Sequence, residues 1–378
     1  MAFNNSTEPS FETAPSLHKK RAAITNRLVH RWVATVIALP MLIVIITGLL
    51  LQVRQPVDWI QPPTAKGSYK YQPTIALEQV LDNVRAVPQM QVDEWSNIKL
   101  LDLRPEKGII KVRNYQELET QVDATTGEVL QIGQRRNDFI VKMHDFSAWN
   151  ARLWLGLPVR LGFLAIFITG IYLNIKLGAA RIKSVKNSGF FASKTNRLQN
   201  KIITSENSDS FSSLKDGRPR RLRLKSWLLT YHYWLGWIVI IPWAFVITSG
   251  LLLQVRYEVP WVMPVEQRGQ EKIPQIEFVQ ILDTARQYPE YGVRDWQDVW
   301  RIYVYPDRGI TTIRAQNRQE FQIDSTTGKV LQIATRRTDW LEDIHEGKWM
   351  GLNLWLFLPV HIISLILWLT GTIVAYSR

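Results

Sequence analysis

Apolar residues gather into four long runs, roughly Trp32–Val53, Leu153–Ile175, Tyr233–Val255 and Leu352–Ala375. A bilayer crossing takes about 20 helical residues, so each run is long enough to span. Pro40 and Pro242 fall inside two of them. A soluble helix would break there, whereas membrane helices tolerate proline where neighbours satisfy the freed carbonyls. Between runs one and two, and again between three and four, the pattern changes its period. "IALEQVLDNVRAV" and "IEFVQILDTARQY" carry apolar residues at helical spacing, as at Ile75, Leu77, Val80, Leu81 and Val84. "NIKLLDLRP", "GIIKVRNY", "ETQVDATTG" and "EVLQIG" then alternate with a period of two, which predicts strands. Asp-x-Thr-Thr-Gly joins the last two, with Gly127 or Gly328 suited to the left-handed position of a bulged hairpin turn. The pattern predicts one helix on a small antiparallel sheet, twice.

The doubling is visible in the letters themselves. "VDATTGEVLQIGQRRNDF" from Val122 returns as "IDSTTGKVLQIATRRTDW" from Ile323, and "TGLLLQVR" from Thr47 returns as "SGLLLQVR" from Ser249. Such self-similarity points to a duplicated architecture. The predicted fold class is an α-helical membrane protein with α+β extramembrane domains, each half being span, domain, span. The segments are a cytoplasmic tail 1–29, a first span 30–54, an external domain 55–143, a second span 144–176, a basic loop 177–228, a third span 229–256, a second external domain 257–344 and a fourth span 345–378.

Charge sets the direction of the spans. The formal net charge is +13, and its distribution follows the spans. Lys19, Lys20, Arg21, Arg27 and Arg31 precede the first, and the loop between the second and third is dense in lysine and arginine. Positive loops stay in the cytoplasm, so both termini and the central loop are expected inside and both α+β domains outside. The basic excess reads as a topology signal and not as a nucleic-acid footprint. No cleavage pattern of a secretory signal peptide follows the first apolar run. Cysteine is absent, which excludes disulfides, thiolate metal sites and cysteine nucleophiles.

A helix followed by strands ending in Asp-x-Thr-Thr-Gly-x-Val, bracketed by "HRW…TGLLL" and His…Thr-Gly spans, resembles the PepSY-associated transmembrane proteins, and the resemblance covers nearly the whole chain. It implies a protein of the bacterial inner membrane. Because the family includes haem-containing reductases of ferric siderophores, it also implies a link to iron uptake.

The candidate chemistry rests on histidines, of which there are six. His30 and His232 are equivalent, each 24 residues before an arginine, Arg54 or Arg256, at the cytoplasmic end of a span. His144 and His345 are likewise equivalent, at the external ends of spans two and four, each 25 residues before a Thr-Gly pair, Thr169–Gly170 or Thr370–Gly371. A b-type haem takes two axial imidazoles from facing helices and needs no cysteine. His30 with His232, and His144 with His345, are therefore candidate axial ligands for one or two haems, giving an electron path across the bilayer. The competing reading makes each histidine an interfacial anchor. His361 lies deep in the fourth span opposite Arg160 in the alignment, where an ionisable group is costly and usually functional. It is a candidate ligand, and Arg160 and Arg31 are candidate partners for haem propionates or snorkelling side chains. His18 lies in the polar tail with no expected role.

No glycine-rich dinucleotide turn, phosphate loop or zinc-protease helix is present. The α+β domains hold no histidine over residues 60–140 or 260–340, so they are expected to dock a partner and not to carry the redox centre. The reading that follows is a haem-dependent electron-transfer protein reducing ferric iron or a ferric siderophore outside, with electrons from a quinol or a cytoplasmic reductase. The alternative is a non-enzymatic module binding a peptidase or envelope partner, or an accessory subunit of siderophore uptake.

Overall fold

A computed structural model of the protein describes residues 14–187 and 220–376, with side chains over 21–180 and 224–376. The His18 side chain, the first thirteen residues of the tail, residues 188–219 of the basic loop and residues 377–378 lie outside that description. The described chain divides into two compact units: a helical one built from the segments up to Ile45, Pro158–Ile247 and beyond Val360, and a second one from Ile46–Leu157 and Thr248–Pro359.

The helical unit contains α1 (Ala14–Val36) and the start of α2 (Ala38–Gln52). These two make one apolar run bent by 70° at Ile37. Pro40 accounts for the break, because its ring collides with the carbonyl four residues back, that of Val36. Three further stretches, Arg152–Ala180, Leu224–Gln254 and Asn353–Tyr376, are long and apolar enough to cross a membrane, making four if the bent pair is one span. The helix that carries the third run, Arg220–Gln254, extends past it on the basic N-terminal side. Pro242 sits inside that helix and leaves it continuous. Ile37, Met41, Ile45 and Ile166 pack around the bend, with Phe163 and Trp368 against them. The Trp368 indole donates to the Ala38 carbonyl at 2.8 Å.

The second unit holds α3 (Leu77–Arg85), β1 (Ile98–Arg104), β2 (Ile109–Asn114), β3 (Leu118–Asp123), β4 (Val129–Gln134) and α4 (Asn137–His144). α5 (Leu157–Asn187) and α6 (Arg220–Gln254) follow, then α7 (Phe278–Arg286), β5 (Val299–Tyr305), β6 (Ile310–Ala315), β7 (Gln319–Asp324), β8 (Val330–Thr335), α8 (Thr338–Glu346) and α9 (Leu358–Tyr376). The predicted helix, strands and turn all form. The two small sheets expected from the pattern are, however, one. Eight antiparallel strands run in the order β4-β3-β2-β1-β5-β6-β7-β8. β1 meets β5 with Leu101 opposite Val304, Asp102 opposite Tyr303 and Leu103 opposite Ile302. Each four-stranded piece would end on an exposed row of unpaired amides, and joining the two removes both edges.

One face of this sheet carries Leu101, Leu103, Ile110, Val112, Ile302, Val304 and Ile313, packed with the apolar sides of α3 and α7 in a single core. The other face is polar yet also covered. Asp102, Lys111, Glu119 and Gln121 are completely buried there, with Gln121 held by the Pro63 carbonyl and the Ala65 N–H, both at 2.8 Å. The repeated Asp-x-Thr-Thr-Gly phrase is a structural staple. Asp123 Oδ1 accepts the N–H of Thr125 and of Thr126, both at 2.8 Å, and Asp324 repeats the bonds with Thr326 and Thr327. Gly127 and Gly328 take the left-handed backbone the turn requires, at φ +80 and +74.

Candidate functional site

Each unit brings together one of the expected histidine pairs. In the helical unit His30 on α1 and His232 on α6 stand with ring centroids 6.5 Å apart and planes at 86°. The Nδ1 of His30 is 2.9 Å from Thr169 Oγ1 on α5, and that of His232 is 3.0 Å from Thr370 Oγ1 on α9. Four helices thus converge on two imidazoles. The threonine hydroxyls are already spent as donors, to the Ala165 carbonyl at 2.7 Å and the Ile366 carbonyl at 2.8 Å. Each Oγ1 therefore accepts from the imidazole, Nδ1 carries the ring proton, and Nε2 keeps its lone pair. A hydrogen bond from the far ring nitrogen is the usual way a metal-binding histidine is oriented.

In the second unit His144, the last residue of α4, and His345 on α8 hold their rings 6.2 Å apart at 68°. Here Nδ1 of His144 is 3.0 Å from Thr47 Oγ1 and Nδ1 of His345 is 3.1 Å from Ser249 Oγ. α8 also carries acidic residues. Glu346 receives Arg54 at 2.7 and 3.0 Å. Burial pushes its carboxyl upward, and Arg54 and Lys348 more than reverse this, leaving it below the usual range. Burial and neighbouring Asp339 push Glu342 the other way, and Arg256 offsets only part of that rise.

The four hydroxyls were not among the expected site residues, yet a signal for them was in the sequence. Each belongs to a Thr-Gly or Ser-Gly dyad: Thr47–Gly48, Thr169–Gly170, Ser249–Gly250 and Thr370–Gly371. The hydroxyl orients the ring and the glycine makes room for it. A Cβ on Gly170 would come 3.4 Å from His30 Cε1, on Gly371 3.3 Å from His232 Cε1, and on Gly250 2.9 Å from His345 Cε1. His361 is half-buried in the first turn of α9, and Arg160 is buried in the first turn of α5. Arg31 is exposed, its guanidinium 5.7 Å from the Trp32 ring.

Among the described residues no three histidine, cysteine or acidic side chains gather as a metal-ion site. Two imidazoles alone suit a metal that brings its other ligands with it. The separation fits that case. Ring centroids 6.5 and 6.2 Å apart leave room between the imidazoles for a metal that each would bind at about 2 Å.

Membrane-capable helices joined to an open eight-stranded antiparallel sheet define an α+β membrane protein. The chain belongs to the family described as the PepSY-associated TM region, whose model matches residues 27–378. No curated protein sequence matches the chain significantly.

Proposed function

We propose that the protein is a b-type haem electron-transfer protein, with His30 and His232 as the axial ligands of one haem and His144 and His345 of another. The observation that carries this reading is the geometry of the pairs: centroids 6.5 and 6.2 Å apart, with every Nδ1 engaged by a hydroxyl. The haem would supply one-electron chemistry. The chain supplies ligands and the ring orientation set by Thr169, Thr370, Thr47 and Ser249. Arg160 and Arg31 are proposed partners for propionates, and His361, whose counterpart is Arg160, is assigned no iron. The proposal extends to a tandem repeat of span, domain and span in a bacterial inner membrane, with both termini and the basic loop cytoplasmic. The acceptor is a ferric complex or ferric siderophore outside, and the donor a quinol or cytoplasmic reductase.

The test is an absorption spectrum of protein purified from haem-replete cells. Two haems per chain with bis-imidazole spectra, reduced by dithionite and reoxidised by a ferric chelate, are expected. A folded protein that takes up no haem overturns the proposal and leaves the sheet unit as a partner-binding module.

A further inference from the structure

Lys111 and Thr312 occupy matching places in the sheet. Lys111 lies opposite Asp102 and Gln121, and Thr312 opposite Tyr303 and Gln322. The same bonds surround both. Gln121 and Gln322 donate to Glu119 and Glu320 at 3.1 and 3.0 Å, and accept the N–H of Ala65 and Gln267 at 2.8 and 2.7 Å. Arg135 and Arg336 reach the same glutamates at 3.2 and 3.0 Å. The side chains at the two places, and opposite them in β1 and β5, differ. Lys111 extends a buried ammonium to Glu119 Oε1 at 2.8 Å. Thr312 stops short, and a cavity of about 170 Å³ opens beside it, lined by Tyr257, Met263, Tyr305, Glu320 and Gln322 among others. Thr312 is 5 % exposed and its Oγ1 has no hydrogen-bond partner, a state costly enough to call for an occupant.

We infer that this cavity binds a primary alkylammonium group, held against Glu320 and Thr312 Oγ1 as the Lys111 ammonium is held against Glu119. Tyr257, Tyr305 and Met263 line the path of its alkyl chain. The charges around the cavity balance, but Glu320 meets two arginines where Glu119 meets two arginines and the Lys111 ammonium. Arg314 and Arg336 both pair with Glu320 and Asp339, and Arg308 pairs with Glu266. The Nε of Arg314 and of Arg336 make no hydrogen bond, but they lie 3.3 and 3.4 Å from those carboxylates and stay compensated. The first half shows what a buried ammonium meets at this place in the sheet. Burial lowers the Lys111 pKa to about 8; Glu119 and Asp102 oppose this and Arg104 adds to it. In the second half Tyr305 stands at the Arg104 place and Tyr303 at the Asp102 place, so one cation and one carboxylate are both absent beside the cavity.

This inference is independent of the haem reading, and its test uses a different signal. Purified full-length protein is titrated with n-pentylammonium chloride at constant ionic strength, following tyrosine and tryptophan fluorescence and the thermal midpoint. The expected result is saturable binding that Thr312→Lys weakens at least tenfold, since the built-in side chain takes the seat. Thr312→Met, which fills the cavity without charge, should do the same, so a misfolded lysine variant leaves the test intact. n-Pentanoate should not bind. Pentanoate binding in preference to the amine, amine binding unchanged in the two variants, or no saturable binding by the wild type would each overturn the inference.

Discussion

His30 and His232 face each other across α1 and α6 with ring centroids 6.5 Å apart, each tied through Nδ1 to a threonine of a further helix. Ligands sharing one iron fail as a unit. His30→Ala and His232→Ala are each expected to remove the same haem, and the double variant to lose no more than either single. His144→Ala and His345→Ala should remove the other. Reduced-minus-oxidised spectra of singles and doubles decide it, and additive losses within a pair would show that the two rings serve different sites.

The threonines make a finer prediction. Thr169→Val keeps the volume and deletes the acceptor of the His30 Nδ1–H, leaving the ring free to turn or to change tautomer. Loss of such an orienting bond costs roughly 10–100-fold in metal affinity. Haem content titrated against added haem should fall by that order in Thr169→Val and Thr370→Val, with unchanged circular dichroism, and recover in Thr169→Ser. Full affinity in the valine variants would mean the hydroxyls are packing groups only.

The limits of sequence reading show at particular residues. The histidine pairing was legible because the two halves repeat, and equivalent residues approach each other. The Ser/Thr-Gly dyads were visible letters whose function was not, since a hydroxyl 96 to 139 residues from its imidazole gives no local signal. Period-two alternation located every strand but not the β1–β5 pairing, because backbone hydrogen bonding between strands leaves no mark on side-chain pattern. Nor did it show that the polar face is buried. Lys111 and Glu119 look like ordinary solvent-facing charges, yet both are fully buried, beside a Gln121 that is bonded to Pro63 and Ala65.

The direction of insertion is testable in a chain without cysteine. Lys329, in the turn between β7 and β8, is exposed, whereas neighbouring Ser325 is fully buried with its hydroxyl 2.9 Å from that of Thr311. Lys329→Cys is therefore the better reporter for the second α+β domain, and Ser205→Cys, outside the described residues, for the basic loop. An impermeant thiol reagent applied to spheroplasts should label position 329 and spare 205. The opposite pattern would invert the proposed topology.

The buried ion pair of β2 and β3 gives a pH signature. Burial lowers the Lys111 pKa from 10.5 to about 8 despite Glu119. Between those values the unfolded chain holds a proton that the folded one has released, so stability rises with pH across that window. At about 1.4 kcal/mol per pKa unit, the full gain is on the order of 3 kcal/mol. Tyr305 acts in the opposite sense. Burial raises its phenol to about 12, so above pH 10 the unfolded chain loses its proton first and stability falls. The thermal midpoint of the wild type should therefore climb from pH 8 towards 10 and turn down beyond. Lys111→Met should flatten the climb and leave the decline, because Glu119 keeps Arg113 and Arg135, both at 3.2 Å. A climb of equal size in Lys111→Met would place the titrating group elsewhere in the protein.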